Sequence, residues 1–357
     1  MFFMKNTILI PVCIMAALVI IPAVFLLVGA ITDYRPEKRE ILSVAHGDRL
    51  PDTVRIMTWN IGYGGLGDNM DFFYDGGRKV RDSRERTIEN LRAIVGEIRR
   101  SGCDIILLQE ADEDSKRTYR INEVALLKRE FPEYHVFMAY NYKSFFVPVP
   151  LRSPIGKVAG GQIIMSRYMP EEVARWQYPS RFPWPVSMFN LKRCLMTASF
   201  DCGSGKAVVI GNTHNTAYDT GNMRKEEMEF LAGTVEDMRL SGKSVIIGGD
   251  WNQYPEGYIP DRKESEDLAF STAAIDDENI GKYGSFFYDN RAKTLRHLNI
   301  PYGPQSVLTV TDYFFVSDDI EVINTETTDL GFRNSDHNPV IISIALNKNR
   351  PVSRKGE

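Results

Sequence analysis

The chain has 357 residues, of which 43% are hydrophobic and 25% charged, a composition typical of a globular protein rather than a disordered one. Its length allows one large α/β domain or two small ones. The net charge of −4 provides no broad basic surface for a polyanion, which weakens a nucleic-acid-binding interpretation without excluding it.

An uncharged, apolar run extends from Thr7 to Ile31. Because about 20 apolar residues cross a bilayer, and the apolar region of a signal peptide has only about 7–15, we predict a single-pass transmembrane anchor over residues 1–31. Membrane contact is expected over 7–31. The alternative is a secreted protein after signal cleavage near Ala30. Lys/Arg counts slightly favour a cytoplasmic C-terminal flank, but signal-like segments usually export the chain on their C-terminal side, so we expect an extracytoplasmic domain.

Residues 32–52 are polar and are predicted to be a linker, and the main domain is expected over 53–346 with a basic tail at 347–357. The first predicted strand, 54–60, ends in Asn60. The glycine-rich loop from Gly62 to Gly77 is expected to be a flexible rim. An amphipathic helix over 83–100, ended by Gly102, leads into a buried strand over 104–110 that ends in Glu110.

The next part of the chain is rich in aromatic residues. A polar loop over 112–122, which contains Arg117, is a candidate rim of a site, and a helix is predicted over 122–130. The aromatic segments 131–154 and 176–189 flank a strand over 160–167. We predict that both are loops packed on the sheet, although such segments can also stack bases or hold a lipid.

A hairpin is predicted from a strand over 193–200 and a strand over 207–214 that ends in His214. The four cysteines, at 13, 103, 194 and 202, have no zinc-type spacing, and we predict no disulfide framework, although Cys194 and Cys202 are candidates to face each other across this hairpin. A helix over 223–240 precedes an apolar strand over 245–250. That strand ends in Asp250, and Asn252 is expected on the same side because side chains alternate along a strand.

The segment from 251 to about 307 has no clear pattern. Two final strands begin with polar groups instead of ending in them. Asp312 lies at the front of the strand over 311–317, and Asp336 with His337 lies at the front of the last segment, 334–344. If these two strands run antiparallel to the earlier four, every polar strand end meets at one edge, where α/β proteins commonly build sites. Taken singly, each polar residue is equally explained as a turn former or a solvated strand end.

Together these residues form an oxygen-rich set without thiolates. Carboxylates and amides suit a hard cation such as Mg²⁺, with Mn²⁺ as an alternative. Histidines and amides can donate to phosphoryl oxygens as charge develops on them. The set therefore predicts a site that cleaves phosphoesters.

The ordered motifs resemble those of the endonuclease/exonuclease/phosphatase (DNase I-like) superfamily. The motifs are Thr58-Trp59-Asn60, Leu108-Gln109-Glu110, Asn212-Thr213-His214, Gly249-Asp250-Trp251-Asn252, Thr311-Asp312-Tyr313 and Ser335-Asp336-His337. The resemblance covers roughly residues 53–346. It implies an α/β fold, namely a four-layer α/β sandwich of two packed mixed β-sheets flanked by helices, here preceded by the N-terminal transmembrane helix.

The resemblance also implies roles for individual residues. Glu110 is the main metal ligand, Asn60 supports the metal, and Asp336 lies beside it. Asp250 orients and deprotonates the attacking water, and Asn252 and His214 hold the phosphoryl group. His337 stabilises the pentavalent oxygens and is kept in its tautomer by Asp312. Trp251 and Tyr313 depart from the commoner pattern or vary within the family, and both are candidates to affect substrate choice.

The sequence therefore predicts a membrane-anchored, divalent-metal-dependent phosphoesterase that acts by in-line attack of an Asp-activated water, and we expect a monomer. The expected substrate is a lipid headgroup, an inositol phosphate or a nucleic acid. The alternatives are a DNase I-like endonuclease and a catalytically silent, membrane-tethered binding domain.

Overall fold

The computed structural model describes residues 2–203, 206–219, 221–266, 272–276 and 278–346, with side chains from residue 10 onward. The predicted basic tail lies outside the described residues. The helices are α1 (Phe2–Thr32), α2 (Arg84–Ser101), α3 (Glu123–Glu130), α4 (Met223–Leu240) and α5 (Arg262–Glu266). The strands are β1 (Arg39–Val44), β2 (Thr53–Asn60), β3 (Ile105–Asp112), β4 (His135–Val147), β5 (Gly156–Ser166), β6 (Glu172–Gln177), β7 (Cys194–Gly203), β8 (Lys206–His214), β9 (Ser244–Asp250), β10 (Gly284–Phe287), β11 (Leu295–Arg296), β12 (Leu308–Thr309), β13 (Asp312–Ser317), β14 (Glu321–Thr327) and β15 (Val340–Ala345).

Two mixed sheets form the centre of the fold. The seven-stranded sheet has the order β1-β6-β7-β8-β9-β13-β10, and the six-stranded sheet has the order β14-β15-β2-β3-β5-β4. Strands β2 and β3 are parallel, as are β8 and β9. Strand β13 runs antiparallel to β9, and β15 runs antiparallel to β2. The antiparallel arrangement expected for the last two predicted strands is thus confirmed.

Three buried apolar clusters define four layers. The first lies between the sheets and joins residues such as Ile56 and Leu107 of one sheet to Ile210 and Phe314 of the other. The second joins the outer face of the six-stranded sheet to α2 and α3. The third joins the outer face of the seven-stranded sheet to α4. This arrangement confirms the predicted four-layer α/β sandwich.

Residues Ile10–Thr32 of α1 form one helix that is long and apolar enough to cross a membrane, and little of it is buried in the protein. Its C-terminal part nevertheless packs on the sandwich, where the Phe25 ring stacks on Phe189 with centroids 4.9 Å apart. The segment after α1 was predicted to be a linker. Within it, β1 pairs antiparallel with β6 and forms an edge of the seven-stranded sheet.

One predicted element on the way to the site was wrong, because the aromatic segment 131–154, predicted to be a loop, contains the 13-residue strand β4. The glycine-rich loop after β2, predicted to be a flexible rim, has Tyr63, Leu66 and Met70 buried against Leu298. Cys194 and Cys202 both lie on β7, so these candidates do not face each other across a hairpin.

Candidate active site at the strand ends

Strand register places three predicted site residues side by side. His214 ends β8 and pairs with Asp250, the last residue of β9. On its other side Asp250 pairs with Asp312, the first residue of β13. Because neighbouring strands lie about 5 Å apart, one histidine and two carboxylates meet at the same edge of the seven-stranded sheet.

Amide groups hold the Asp250 carboxylate. The Nδ2 groups of Asn60 and Asn252 donate to its Oδ2 at 3.1 and 3.2 Å, and the backbone N–H of Asn252 donates to its Oδ1 at 3.0 Å. Asn252 lies beyond the strand and has a φ of 52°. It therefore reaches Asp250 by a turn of the backbone, and not by the strand alternation that the sequence predicted.

Close backbone packing explains the glycine before Asp250. A Cβ on Gly249 would lie 2.0 Å from the backbone oxygen of Thr213 on the neighbouring strand. No larger residue fits this approach without a shift of the strands. The glycine thus lets β8 and β9 stay in contact up to the point where His214 and Asp250 emerge.

Glu110 departs from regular strand geometry. It has a φ of 52°, and the register between β3 and β5 shifts between Leu108 and Ala111. Bulges of this kind re-aim a side chain, and non-glycine residues with positive φ cluster at functional sites. The Glu110 side chain is 26% exposed, and its Oε1 accepts a hydrogen bond from Asn60 Nδ2 at 3.4 Å. The distortion thus places a partly open carboxylate beside Asn60.

His337 and Asp312 form a buried pair. The ring Nδ1 of His337 lies 2.8 Å from Asp312 Oδ2, and its Nε2 lies 3.8 Å from Asp250 Oδ2. Burial lowers the pKa of His337, but the carboxylates of Asp312, Asp250 and Asp336 outweigh this effect and raise it to about 10. Asp312 therefore orients the ring, and the ring carries a positive charge at neutral pH.

His214 is a neutral counterpart of His337. Burial lowers its pKa well below the usual value, and the positive charge of Arg193 adds to this effect. Its Nε2 lies 3.5 Å from Asp250 Oδ2 and 3.9 Å from Glu110 Oε1. Its Nδ1 is buried without a hydrogen-bond partner among the described residues. The site thus combines two histidines in different charge states.

The remaining carboxylates concentrate negative charge. Burial raises the pKa of Asp336 to about 6, with His337 lowering it and Glu110 raising it. Burial, Asp336 and Glu110 together raise the pKa of Asp75 to about 8. Oxygen ligands that repel one another in this way fit a hard divalent cation, whose charge would relieve the repulsion.

Two groups of residues could hold such a cation. Ligand atoms of Asp250, Asp312 and His337 all lie within 4.8 Å of one another. In this group, however, Asp312 is fully buried and its Oδ2 is already bonded to His337. Glu110, Asn60 and Asp336 form the second group, and all three border the cleft, whereas Asp312 of the first group does not. The side chain of Glu110 is also 26% exposed, which favours the second group.

A cleft of about 490 Å³ opens over these residues. Seven of the eight predicted site residues line it: Asn60, Glu110, His214, Asp250, Asn252, Asp336 and His337. The eighth, Asp312, contacts His337 from below the cleft. The structure therefore brings the whole predicted set together.

The cleft also contains arginines at Arg117, Arg193, Arg224 and Arg296, of which the sequence singled out only Arg117, as part of a rim. Arg117 makes two hydrogen bonds with Asp112, at 2.9 and 3.0 Å. Arg193 donates to the backbone oxygen of His214 at 3.0 Å. The sequence did not single out the other three arginines. Arg296 is positioned by the distant backbone oxygen of Gly67, and Arg224 by the nearby backbone oxygen of Thr216.

Trp251 and Tyr313, the suggested substrate-dependent positions, do not border the cleft. Their rings stack with centroids 5.4 Å apart, and both residues are fully buried on the outer face of the seven-stranded sheet. They therefore do not contact a substrate in the cleft, and their effect on substrate choice stays a prediction.

Comparisons with known proteins agree with this geometry. A family model described as the Endonuclease/Exonuclease/phosphatase family matches residues 57–337. Similar solved structures include an endonuclease/exonuclease/phosphatase from Beutenbergia cavernae (17% identity, TM-score 0.55, covering 83% of this chain and 72% of that one). Another is an endonuclease/exonuclease/phosphatase from Bacteroides vulgatus (18%, 0.52, covering 83% and 99%). A third is ANGEL2, a 2',3'-cyclic phosphatase in complex with adenosine-2',3'-vanadate (14%, 0.54, covering 88% and 100%). A search of curated proteins found no match.

Proposed function

We propose that this protein is a membrane-anchored, divalent-metal-dependent phosphoesterase. The chain belongs to the endonuclease/exonuclease/phosphatase family. Family membership makes the protein an enzyme that acts on phosphoester bonds. One observation carries the finer proposal. Seven polar residues from distant parts of the chain meet at a single cleft, with Asp250 held by amides and His337 held from below by an eighth residue, Asp312.

Asp250 is suited to activate water. Three amide donors orient its carboxylate, and the residue is only 1% exposed, so few waters compete for it. We propose that Asp250 takes a proton from a water that attacks phosphorus in line with the leaving oxygen. The amides of Asn60 and Asn252 fix the direction of the carboxylate during this step.

The two histidines and Asn252 face the phosphoryl oxygens in this proposal. His337 is positively charged and can donate from Nε2 to the oxygens on which negative charge develops. Asp312 holds the opposite nitrogen of the ring and fixes its orientation. His214 is neutral, so it adds a hydrogen bond without adding charge.

Glu110, Asn60 and Asp336 would hold the divalent cation, which we propose to be Mg²⁺, with Mn²⁺ as an alternative. When bound, the cation supplies Lewis-acid stabilisation of a phosphoryl or leaving oxygen. Helix α1 anchors the enzyme, as a single pass, with the catalytic domain outside the cytoplasm, and cleavage near Ala30 would give a secreted form instead.

A nuclease is the second candidate, favoured by the arginines that line the cleft. All four are already engaged within the protein. Arg117 is paired with Asp112, and the other three donate to backbone oxygens. The net charge of −4 also offers little attraction for a long polyanion. One preparation assayed against plasmid DNA, sphingomyelin and inositol phosphates separates the candidates.

The proposal is tested by hydrolysis of bis-p-nitrophenyl phosphate by the full chain with Mg²⁺. We expect EDTA to abolish the activity, and Asp250→Asn to lower kcat by about 10³-fold or more, since it removes the general base. The matched control is Asp237→Asn, which changes an exposed acid on α4. Activity that persists in EDTA, or in the Asp250 variant, refutes the proposal. A wild-type protein with no activity and no affinity for metal favours the silent binding domain.

A further inference from the structure

The membrane-crossing helix is attached to the sandwich near its C-terminal end. Phe25 stacks on Phe189 with centroids 4.9 Å apart, and Phe145 lies 5.6 Å from Phe25. Gly29 is buried, and a Cβ there would lie 2.7 Å from the Phe189 ring. The helix therefore emerges against two specific segments of the domain, those around 145 and 189.

The chain after the helix is fastened to the same side. Asp33 Oδ1 lies 3.3 Å from Lys192 Nζ, and Glu40 Oε2 lies 3.7 Å from the buried Arg175 Nη1. Strand β1 follows at once and pairs with β6. These contacts replace the predicted linker with a fixed joint, so the domain has a defined orientation relative to α1.

The position of Phe25 along α1 indicates how deep its aromatic partners lie. Phe25 precedes Thr32, the last residue of α1, by seven residues, which is about 10 Å along a helix. Each headgroup region of a bilayer is only about 5–7 Å thick. If α1 crosses the membrane up to Thr32, then Phe145 and Phe189 lie at the boundary of the hydrocarbon.

The two segments that contact α1 also carry exposed apolar side chains. Leu151 is 88% exposed, Trp184 70%, Val186 47% and Val149 37%. We call these four residues the membrane face. None of them lines the cleft. Exposed apolar and tryptophan side chains in segments that contact a membrane-crossing helix are typical of a protein face that rests in a membrane interface.

The same segments also form one wall of the cleft. Tyr142 and Ile155 come from the first segment, and Phe182 and Leu191 come from the second. We infer that the membrane face rests in the bilayer beside α1, and that the cleft acts on a phosphoester in the headgroup of a lipid in the same membrane. This inference rests on the proposed phosphoesterase function for its substrate, but not for the docking itself.

Docking is tested with the full chain in nanodiscs whose phosphatidylcholine carries brominated acyl chains, which quench nearby tryptophan fluorescence. The chain has four tryptophans, so the quenching due to Trp184 is the difference between the wild type and Trp184→Phe. We expect Trp184 to account for most of the quenching, because Trp59 and Trp251 are buried. Trp176 is half-buried on β6, and the Arg39 guanidinium lies over its ring. Equal quenching in the wild type and in Trp184→Phe would show that the membrane face does not dock on the bilayer. The inference would also be overturned if a second copy of the chain, and not lipid, covers Trp184.

Substrate choice is tested with Leu151→Ser/Trp184→Ser in nanodiscs that contain sphingomyelin or a phosphoinositide. The readout is the rate on lipid divided by the rate on soluble bis-p-nitrophenyl phosphate, and we expect this ratio to fall at least tenfold. The control is Ile323→Ser, which changes an exposed apolar residue on β14, at the sheet edge opposite β4.

The possible failures are distinguishable. An unchanged ratio, or activity on the soluble substrate with none on either lipid, overturns the inference while the phosphoesterase proposal stands. No activity on any substrate with Mg²⁺ overturns the phosphoesterase proposal and the lipid substrate together. The quenching measurement still decides whether the membrane face docks.

Discussion

The strand pair β9 and β13 has buried acids near both of its ends, and their surroundings differ. At the end away from the cleft, Asp319 accepts hydrogen bonds from Arg239 at 2.7 Å, Ser244 at 2.7 Å and Ser317 at 2.8 Å. Burial alone would raise its pKa, but these donors lower it below 3.8. The buried Asp319 carboxylate thus has both a positively charged partner and hydrogen-bond donors, which is what a stable buried charge requires.

At the cleft end of the same strands, Asp250 and Asp312 are adjacent in register. Burial raises the pKa of Asp312 to about 6, with His337 opposing and Asp250 adding to the shift. The Oδ1 of Asp312 has no hydrogen-bond partner among the described residues. The carboxylates of Asp250 and Asp312 repel one another at this end, whereas the Asp319 carboxylate at the other end is paired with Arg239.

We infer from this difference that Asp319 stabilises the fold, whereas Asp250 and Asp312 serve the reaction in the cleft. Buried carboxylates that repel one another stabilise the fold less than a carboxylate whose neighbours are all donors, so such a group persists where function requires it. We expect substitutions at the two ends to have opposite effects. At the cleft end they should remove activity and spare the fold, and at the far end they should weaken the fold and spare activity.

The largest effect is expected for Asp312→Asn. The amide cannot support a positively charged His337, so kcat should fall on the order of 10³-fold, or about 4 kcal/mol in activation free energy. The free energy of unfolding should fall less than it does for Asp319→Asn, because the loss of the ion pair with His337 is partly offset by removal of the repulsion between Asp312 and Asp250. Rates on bis-p-nitrophenyl phosphate and urea unfolding measure the two quantities.

Combination with His337→Gln sharpens this expectation. If Asp312 acts through His337, the double variant should be no slower than the slower single variant, because the two residues work as a unit. Additive losses would mean that Asp312 has a role of its own. A large loss of stability in Asp312→Asn would make it resemble Asp319 and remove the contrast between the two ends.

The cleft residues could be predicted because the interior strands carry strong local signals. Strands β2, β3, β8 and β9 are short apolar runs that end in polar residues, and burial on both faces requires that pattern. Once the strands are placed, the neighbours of Asp250 follow from register. Asn60 and His214 end β2 and β8 as predicted, whereas Glu110 lies two residues before the end of β3, at the bulge in that strand.

The edge strands were not predicted. Strands β1, β4, β10 and β14 lie at the four edges of the two large sheets. An edge strand pairs on one side only, and both β1 and β14 are largely exposed, so no apolar alternation marks them. Strand β6, whose neighbour β1 forms one of these edges, was missed as well. Their pairing depends on the tertiary structure, as do the positive φ of Glu110 and the arginines of the cleft.

An intermediate effect is expected for Asp319→Asn, which leaves Arg239 buried without its partner. Breaking a buried ion pair costs about 3 kcal/mol of unfolding free energy. The folded pKa of Asp319 lies below the ordinary value of 3.8, so its stabilisation is present above that pH and is lost as the pH falls through the folded pKa. The stability gap between the variant and the wild type should be full at pH 7 and narrow below pH 3.8.

Urea unfolding across this pH range measures the gap, and kcat at neutral pH provides the control. Because Asp319 is at the far end of the strands, kcat should stay within about twofold of the wild type when the folded fraction is taken into account. A gap that stays constant down to low pH would mean that the carboxylate charge does not stabilise the fold. A loss of kcat as large as that of Asp312→Asn would show that the two ends are coupled.

The smallest effect is expected for Trp251→Phe, which changes the packing directly after β9. The Trp251 ring stacks on Tyr313, and its Nε1 donates to the Tyr313 backbone oxygen at 3.0 Å. Loss of this bond and part of the stack should cost about 1–2 kcal/mol of unfolding free energy. Because neither ring borders the cleft, the ratio of rates on lipid and soluble substrates should be unchanged. A shift in that ratio would mean that packing behind the strand ends adjusts Asp250, and that substrate choice depends on more than the walls of the cleft.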